Sequence, residues 1–89
     1  MFVVMLCEGA ACADLKEYPT YEEARREYRR QARNAWRRKS AYNQCQIHHV
    51  AAYSDILEYM TWRTGAGAFW CLEMRMATPD WIKAVRSEM

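Results

Sequence analysis

The sequence predicts an α+β fold: one small domain over residues 1–89, with a mainly antiparallel sheet and two helices packed on one of its faces. Three observations carry this prediction. A capped amphipathic pattern occupies residues 21–39, two alternating segments flank a Gly-Ala-Gly turn at 65–67, and a Thr-Pro-Asp helix start stands at 78–80. With 89 residues, 52% hydrophobic and 27% charged, the chain has a globular composition and room for a single core. No run of about 18 apolar residues is present, so the sequence offers no membrane-spanning helix.

The elements follow in order. Phe2 to Cys7 is short, apolar and rich in Val, which predicts a buried strand. Glu8 to Tyr18 lacks a clear period and reads as a connection, with room for an edge extension of the first strand. Thr20-Tyr21-Glu22-Glu23 has the capping-box pattern: the Thr hydroxyl and the Glu carboxylate satisfy free backbone donors reciprocally. Tyr21, Ala24, Tyr28, Ala32 and Ala35 then recur at spacings of three and four and make one apolar stripe, with Trp36 on its flank. Acidic residues in the first turn and basic ones in the last suit the helix dipole. The helix runs from about Tyr21 to about Lys39.

Residues 44–54 satisfy two periods. Ile47, His49, Ala51 and Tyr53 alternate with His48, Val50 and Ala52 as in a strand, whereas Ile47, Val50, Ala51 and Ser54 fit a helix. The β-leaning residues favour the strand, and the helix stays open as the alternative. Ile56 to Arg63 alternates again, and Thr64-Gly65-Ala66-Gly67 supplies residues that tolerate positive φ in a hairpin turn. Ala68 to Met76 returns as a strand whose apolar set, Trp70, Leu72, Met74 and Met76, faces the core. Thr78 caps the last helix, with Pro79 and Asp80 in its first two positions and Trp81, Ile82, Val85 and Met89 on one face. The predicted order is β-α-β-β-β-α.

Charge is unevenly distributed. The formal net charge is +2. Residues 21–39 hold eight basic and three acidic residues, a local +5, while the rest of the chain holds five basic and eight acidic residues, or −3. At 100° per residue, Arg26, Arg29, Arg30, Arg33 and Arg37 share an arc of about 100° turned away from the apolar stripe. Guanidinium groups suit planar, bidentate contacts to carboxylate or phosphate. If the face is merely solvated, Glu22–Arg26 and Glu27–Arg30 are ordinary exposed pairs.

Motifs of catalysis are missing. Gly65-x-Gly67 leads to Trp70 rather than a third Gly, and there is no phosphate-binding Gly-Lys-Ser/Thr, no Gly-x-Ser-x-Gly and no His-Glu-x-x-His. The chain is therefore not expected to be an enzyme. Cys45 and His48, with His49 and a distant Cys7-x4-Cys12, are the available soft ligands. A strand points Cys45 and His48 to opposite faces, and a second close Cys/His pair is lacking, so neither a metal nor another cofactor is expected. The apolar run at the start spans five residues, follows no basic residue and is closed by Glu8, unlike a signal peptide. The expected location is the cytoplasm, where the four Cys stay reduced and behave as small apolar residues.

These observations point to a non-catalytic binding protein that docks on a protein partner with an acidic surface. The expected contact residues are Arg26, Arg29, Arg30, Arg33 and Arg37, with Trp36 on the flank of the same helix, together with Tyr59 and Trp62 from the two sheet faces, one of which is left partly uncovered. Direct DNA or RNA binding through the Arg-rich helix, with Trp36 and Tyr42 stacking on bases, is the alternative. In size and organisation, and in no motif, the chain is similar to inhibitors encoded by phages and mobile elements, anti-CRISPR proteins among them. That similarity implies blockade of a nucleic-acid-processing or defence complex through protein contacts.

Overall fold

The computed structural model describes residues 1–9, 11–38, 55–63, 67 and 69–89, with the backbone alone for 36–38. The strands are β1 (Phe2–Glu8), β2 (Ala11–Tyr18), β3 (Ile56–Arg63) and β4 (Phe69–Met76), and the helices are α1 (Tyr21–Arg38) and α2 (Pro79–Ser87). All strand pairs are antiparallel, in the spatial order β2-β1-β4-β3. The α+β class, the antiparallel sheet and both helices are as the sequence predicts. No helix among the described residues is long and apolar enough to cross a membrane.

Residues 11–18 form a strand where a connection was expected. A bulge hides its period: Leu6 pairs with Asp14 but Cys7 pairs with Cys12, so Ala13 is an extra residue that shifts the alternation. Leu15 is the buried residue of this edge strand, and the rest is half-buried or exposed. The β1–β2 hairpin turns at Gly9, whose φ of +59° is the left-handed conformation that a glycine adopts without cost. The strand expected at 44–54 lies outside the described residues, as do Cys45, His48 and His49. Among the described residues the order is therefore β-β-α-β-β-α.

The helices pack on opposite faces of the sheet, which corrects the expectation of a single covered face. Ala24 and Tyr28 of α1 are buried against Val4, Leu72, Met74 and Trp62, with Ala32 and Ala35 partly buried beside them. Ile82 of α2 is buried against Val3, Met5 and Leu15, with Trp81 and Val85 alongside. Val3 and Val4 are adjacent and point to opposite faces, so β1 is apolar on both sides. Such a central strand has to be covered twice. Met76, expected in the core, is 48% exposed at the end of β4, and Met89 lies exposed beyond α2.

Both helix starts behave as their sequences indicate. Thr78 Oγ1 accepts a hydrogen bond from Trp81 N at 3.2 Å, and Pro79 occupies the first turn, where its missing N–H costs nothing. Thr20 Oγ1 accepts from Glu23 N at 3.3 Å, while the Glu23 side chain is exposed and makes no return bond among the described residues. Thr20→Ala should cost about 1 kcal/mol, a fall of roughly 4–8 °C in Tm for a domain of this size. Parallel thermal melts check this; an unchanged midpoint would mean the Thr20 bond is not made in solution.

Candidate binding surface

The outward side of α1 follows from its inward one. Because Ala24 and Tyr28 face the sheet, residues about 150° away around the helix face solvent. Arg26, Arg29, Arg30 and Arg33 are all exposed there. Arg30 is already engaged: it forms a two-point fork with the Glu27 carboxylate, and its Nε donates to Glu27 Oε2 at 3.0 Å. Gln31 Nε2 donates to the other Glu27 oxygen at 3.0 Å, and Lys16 Nζ lies 4.0 Å from it. The bond from Arg30, helped by Gln31 and Lys16, holds the Glu27 carboxyl below its ordinary pKa, and the Arg30 guanidinium is correspondingly raised. The expected Glu27–Arg30 pair is thus present, whereas Glu22–Arg26 is absent from the ion pairs of the described residues. Arg26, Arg29 and Arg33 hold no ion pair among the described residues. They span about 10 Å along the helix axis.

Two hollows lie along the side of α1 that faces β2 and share Arg30 as a ridge. One, of about 430 Å³, is lined by Tyr18, Pro19, Glu23, Arg26, Glu27 and Arg30. The other, of about 490 Å³, opens under the C-terminal half of α1 and mixes apolar walls (Leu6, Trp62, Trp70) with polar groups of β2 and α1 (Asp14, Lys16, Asn34). Trp62 and Trp70 stack there with ring centroids 6.3 Å apart and planes 9° apart. Trp70 Nε1 is buried with no hydrogen-bond partner among the described residues.

The aromatic part of the expected surface is redistributed. Trp62, expected at an open sheet face, is 7% exposed and belongs to the core under α1. Because α1 and α2 take one face each, Trp62 has no open face to occupy. Tyr59 is half-buried and engaged in contacts of its own. Arg37 and Trp36 lie on α1 with their side chains outside the described part, and Tyr42 lies outside the described residues altogether. The lining residues Asp14, Lys16, Tyr18 and Trp70 were not expected at a surface site. Their one sequence signal is the two-residue spacing of Asp14, Lys16 and Tyr18, which puts all three on the α1 face of β2.

No group of three or more metal-binding side chains occurs among the described residues. Comparison with protein-family models, curated proteins and solved structures finds no match for the chain.

Proposed function

We propose that the protein is a non-catalytic binding module that docks on an acidic protein surface through the outer face of α1. The observation that carries this reading is the trio of exposed guanidinium groups, Arg26, Arg29 and Arg33, free of ion pairs among the described residues, with Arg26 also lining one of the two hollows beside α1. Charges already paired within a chain have little to offer a partner, whereas these three do. The hollows add apolar walls that charge alone lacks, Tyr18 and Pro19 in one and Trp70 in the other. Occlusion of the acidic surface is the mode of action implied.

Charge arithmetic favours a protein over a nucleic acid. Three free guanidinium groups neutralise about as many phosphates and give a salt dependence of roughly −3 in log–log slope. The −3 carried by the rest of the chain opposes a polyanion further.

The test replaces Arg26, Arg29 and Arg33 together with Glu. These solvated positions should tolerate the change within about 1 kcal/mol each. Wild type and variant are used as bait in lysate of the source cells with and without nuclease treatment, and each is titrated with a random duplex of about 20 base pairs at physiological salt. The expected result is a protein retained by wild type and lost by the variant, with weak duplex binding by both. Capture that disappears with nuclease, or tight, salt-sensitive duplex binding by wild type, would transfer the face to nucleic acid. Equal capture by both proteins would remove the Arg face from the contact surface.

A further inference from the structure

Cys12, Cys7 and Cys71 stand side by side on three adjacent strands, β2, β1 and β4, in the register Cys12–Cys7–Cys71. Cross-strand partners share a face, here the one that carries α2. All three are free thiols and half-buried. Without the bulge at Ala13, Cys12 would point to the other face, so the irregularity of β2 is what brings it beside Cys7.

The phase of the hydrogen-bond ladder separates the two neighbours of Cys7. Gly9 N donates to Phe69 O at 2.8 Å, which makes Gly9 and Phe69 a hydrogen-bonded pair between β1 and β4. Two residues along, Cys7 and Cys71 are another such pair, with Cα atoms about 5.5 Å apart and side chains held apart. The backbone polar groups of Cys7 therefore point toward β4 and away from β2. Cys7 and Cys12 are then a non-hydrogen-bonded pair, the kind whose Cα atoms approach to about 4.5 Å and whose side chains come closest. That spacing lies within the roughly 4.4–6.8 Å a disulfide spans, and the Cys12 thiol is held in place by donating to Asp14 O at 3.5 Å.

We propose that Cys7 and Cys12 are an oxidation site, at which a hydroperoxide converts the two thiols into a cross-strand disulfide that staples the β1–β2 hairpin. Cys12, on the edge strand, reacts first. Its thiolate attacks the O–O bond, an S–O bond forms, and the peroxide's other oxygen leaves as an alcohol, or as water from hydrogen peroxide. The Cys7 sulfur then attacks the Cys12 sulfenic acid, the S–O bond breaks, and water departs with the Cys7 proton. Two thiols lose two electrons and two protons, and one hydroperoxide is reduced. Burial holds the Cys7 thiol up at about 12 and the Cys71 thiol at about 11, so neither is a ready first nucleophile. Burial raises Cys12 as well, which makes the first step slow at neutral pH and faster as pH rises.

The positions of Lys and Arg make the test clean. Trypsin leaves Cys7 and Cys12 together in peptide 1–16, Cys71 in peptide 64–75 and Cys45 in peptide 40–63. The full chain is treated with equimolar hydrogen peroxide at pH 8, blocked with iodoacetamide and digested without reduction. Peptide 1–16 should emerge about 2 Da lighter and unlabelled, in wild type and in Cys71→Ser alike. Cys7→Ser, which removes the resolving thiol, should leave a Cys12 sulfenic acid that dimedone traps. A cross-link between peptides 1–16 and 64–75, a doubly labelled peptide 1–16, or a Cys12 sulfinic acid in wild type would each overturn the proposal.

Discussion

Trp62→Ala is expected to lower the unfolding free energy by about 3–5 kcal/mol, the range for deleting a buried Trp side chain. Trp62 stacks on Trp70 and packs in the cluster of Val4, Ala24, Tyr28, Leu72 and Met74, so its removal leaves a void that α1 and the sheet close only in part. A domain of 89 residues has a total stability of about 4–13 kcal/mol, and this loss is a large share of it. Urea titration reads the effect as a lower midpoint at nearly constant slope. Leu57→Ala is the control on the same strand: Leu57 is 42% exposed at the bulge between Ile56 and Glu58, and its truncation should cost well under 1 kcal/mol. Equal effects of the two substitutions would place Trp62 at the surface and return it to the contact residues.

Trp62 also shows where the sequence is legible and where it is not. The alternation in 56–63 and 69–76 identifies the hairpin, and within 69–76 it separates Leu72 and Met74 from Glu73 and Arg75 correctly. The capping signals at Thr20 and Thr78 place both helix starts. What alternation does not reveal is how many layers cover the sheet. That depends on β1, a run apolar on both sides, and a short apolar run has no period from which to read its two faces. Once β1 has to be covered twice, α2 goes to the side opposite α1 and Trp62 is enclosed. The β2 strand was missed because one extra residue, Ala13, breaks its period, and the hollows beside α1 were missed with it. The Arg face itself follows from helical geometry alone. Which of its members are free follows only in part: the Glu27–Arg30 pair obeys its three-residue spacing, whereas Glu22–Arg26, equally allowed by helical spacing, is absent from the ion pairs of the described residues.

Glu73→Ala is the second substitution of large expected effect, about 3–5 kcal/mol at neutral pH, because it strands a charge. Glu73 is 6% exposed on the α2 side of β4 and pairs with Arg75 at 3.1 Å. The Arg75 guanidinium in turn lies 4.7 Å from the ring centroid of Trp81 and so links the sheet to α2. Removing the carboxylate leaves a largely buried guanidinium with the Trp81 face as its remaining support. Replacing both, as Glu73→Leu with Arg75→Met, removes both desolvation costs and should recover most of the loss. The pH dependence gives an independent check. Burial raises the Glu73 carboxyl above 4.5, and the opposing pull of Arg75 does not cancel this. Between 4.5 and that raised value the folded chain binds more protons than the unfolded one, so the Glu73 contribution is fully present below pH 4.5 and is lost as pH rises through the window. Glu27, held low by Arg30, has the opposite sign and loses its contribution in acid. A wild-type titration mixes the two, so the measurement is the stability of wild type minus that of Glu73→Gln, which cancels Glu27. That difference should move in favour of wild type as pH falls from 7 to 4.5. A flat difference, or a cost of Glu73→Ala below about 1 kcal/mol, would mean that the carboxylate reaches water and that the Glu73–Arg75–Trp81 link is not buried in solution.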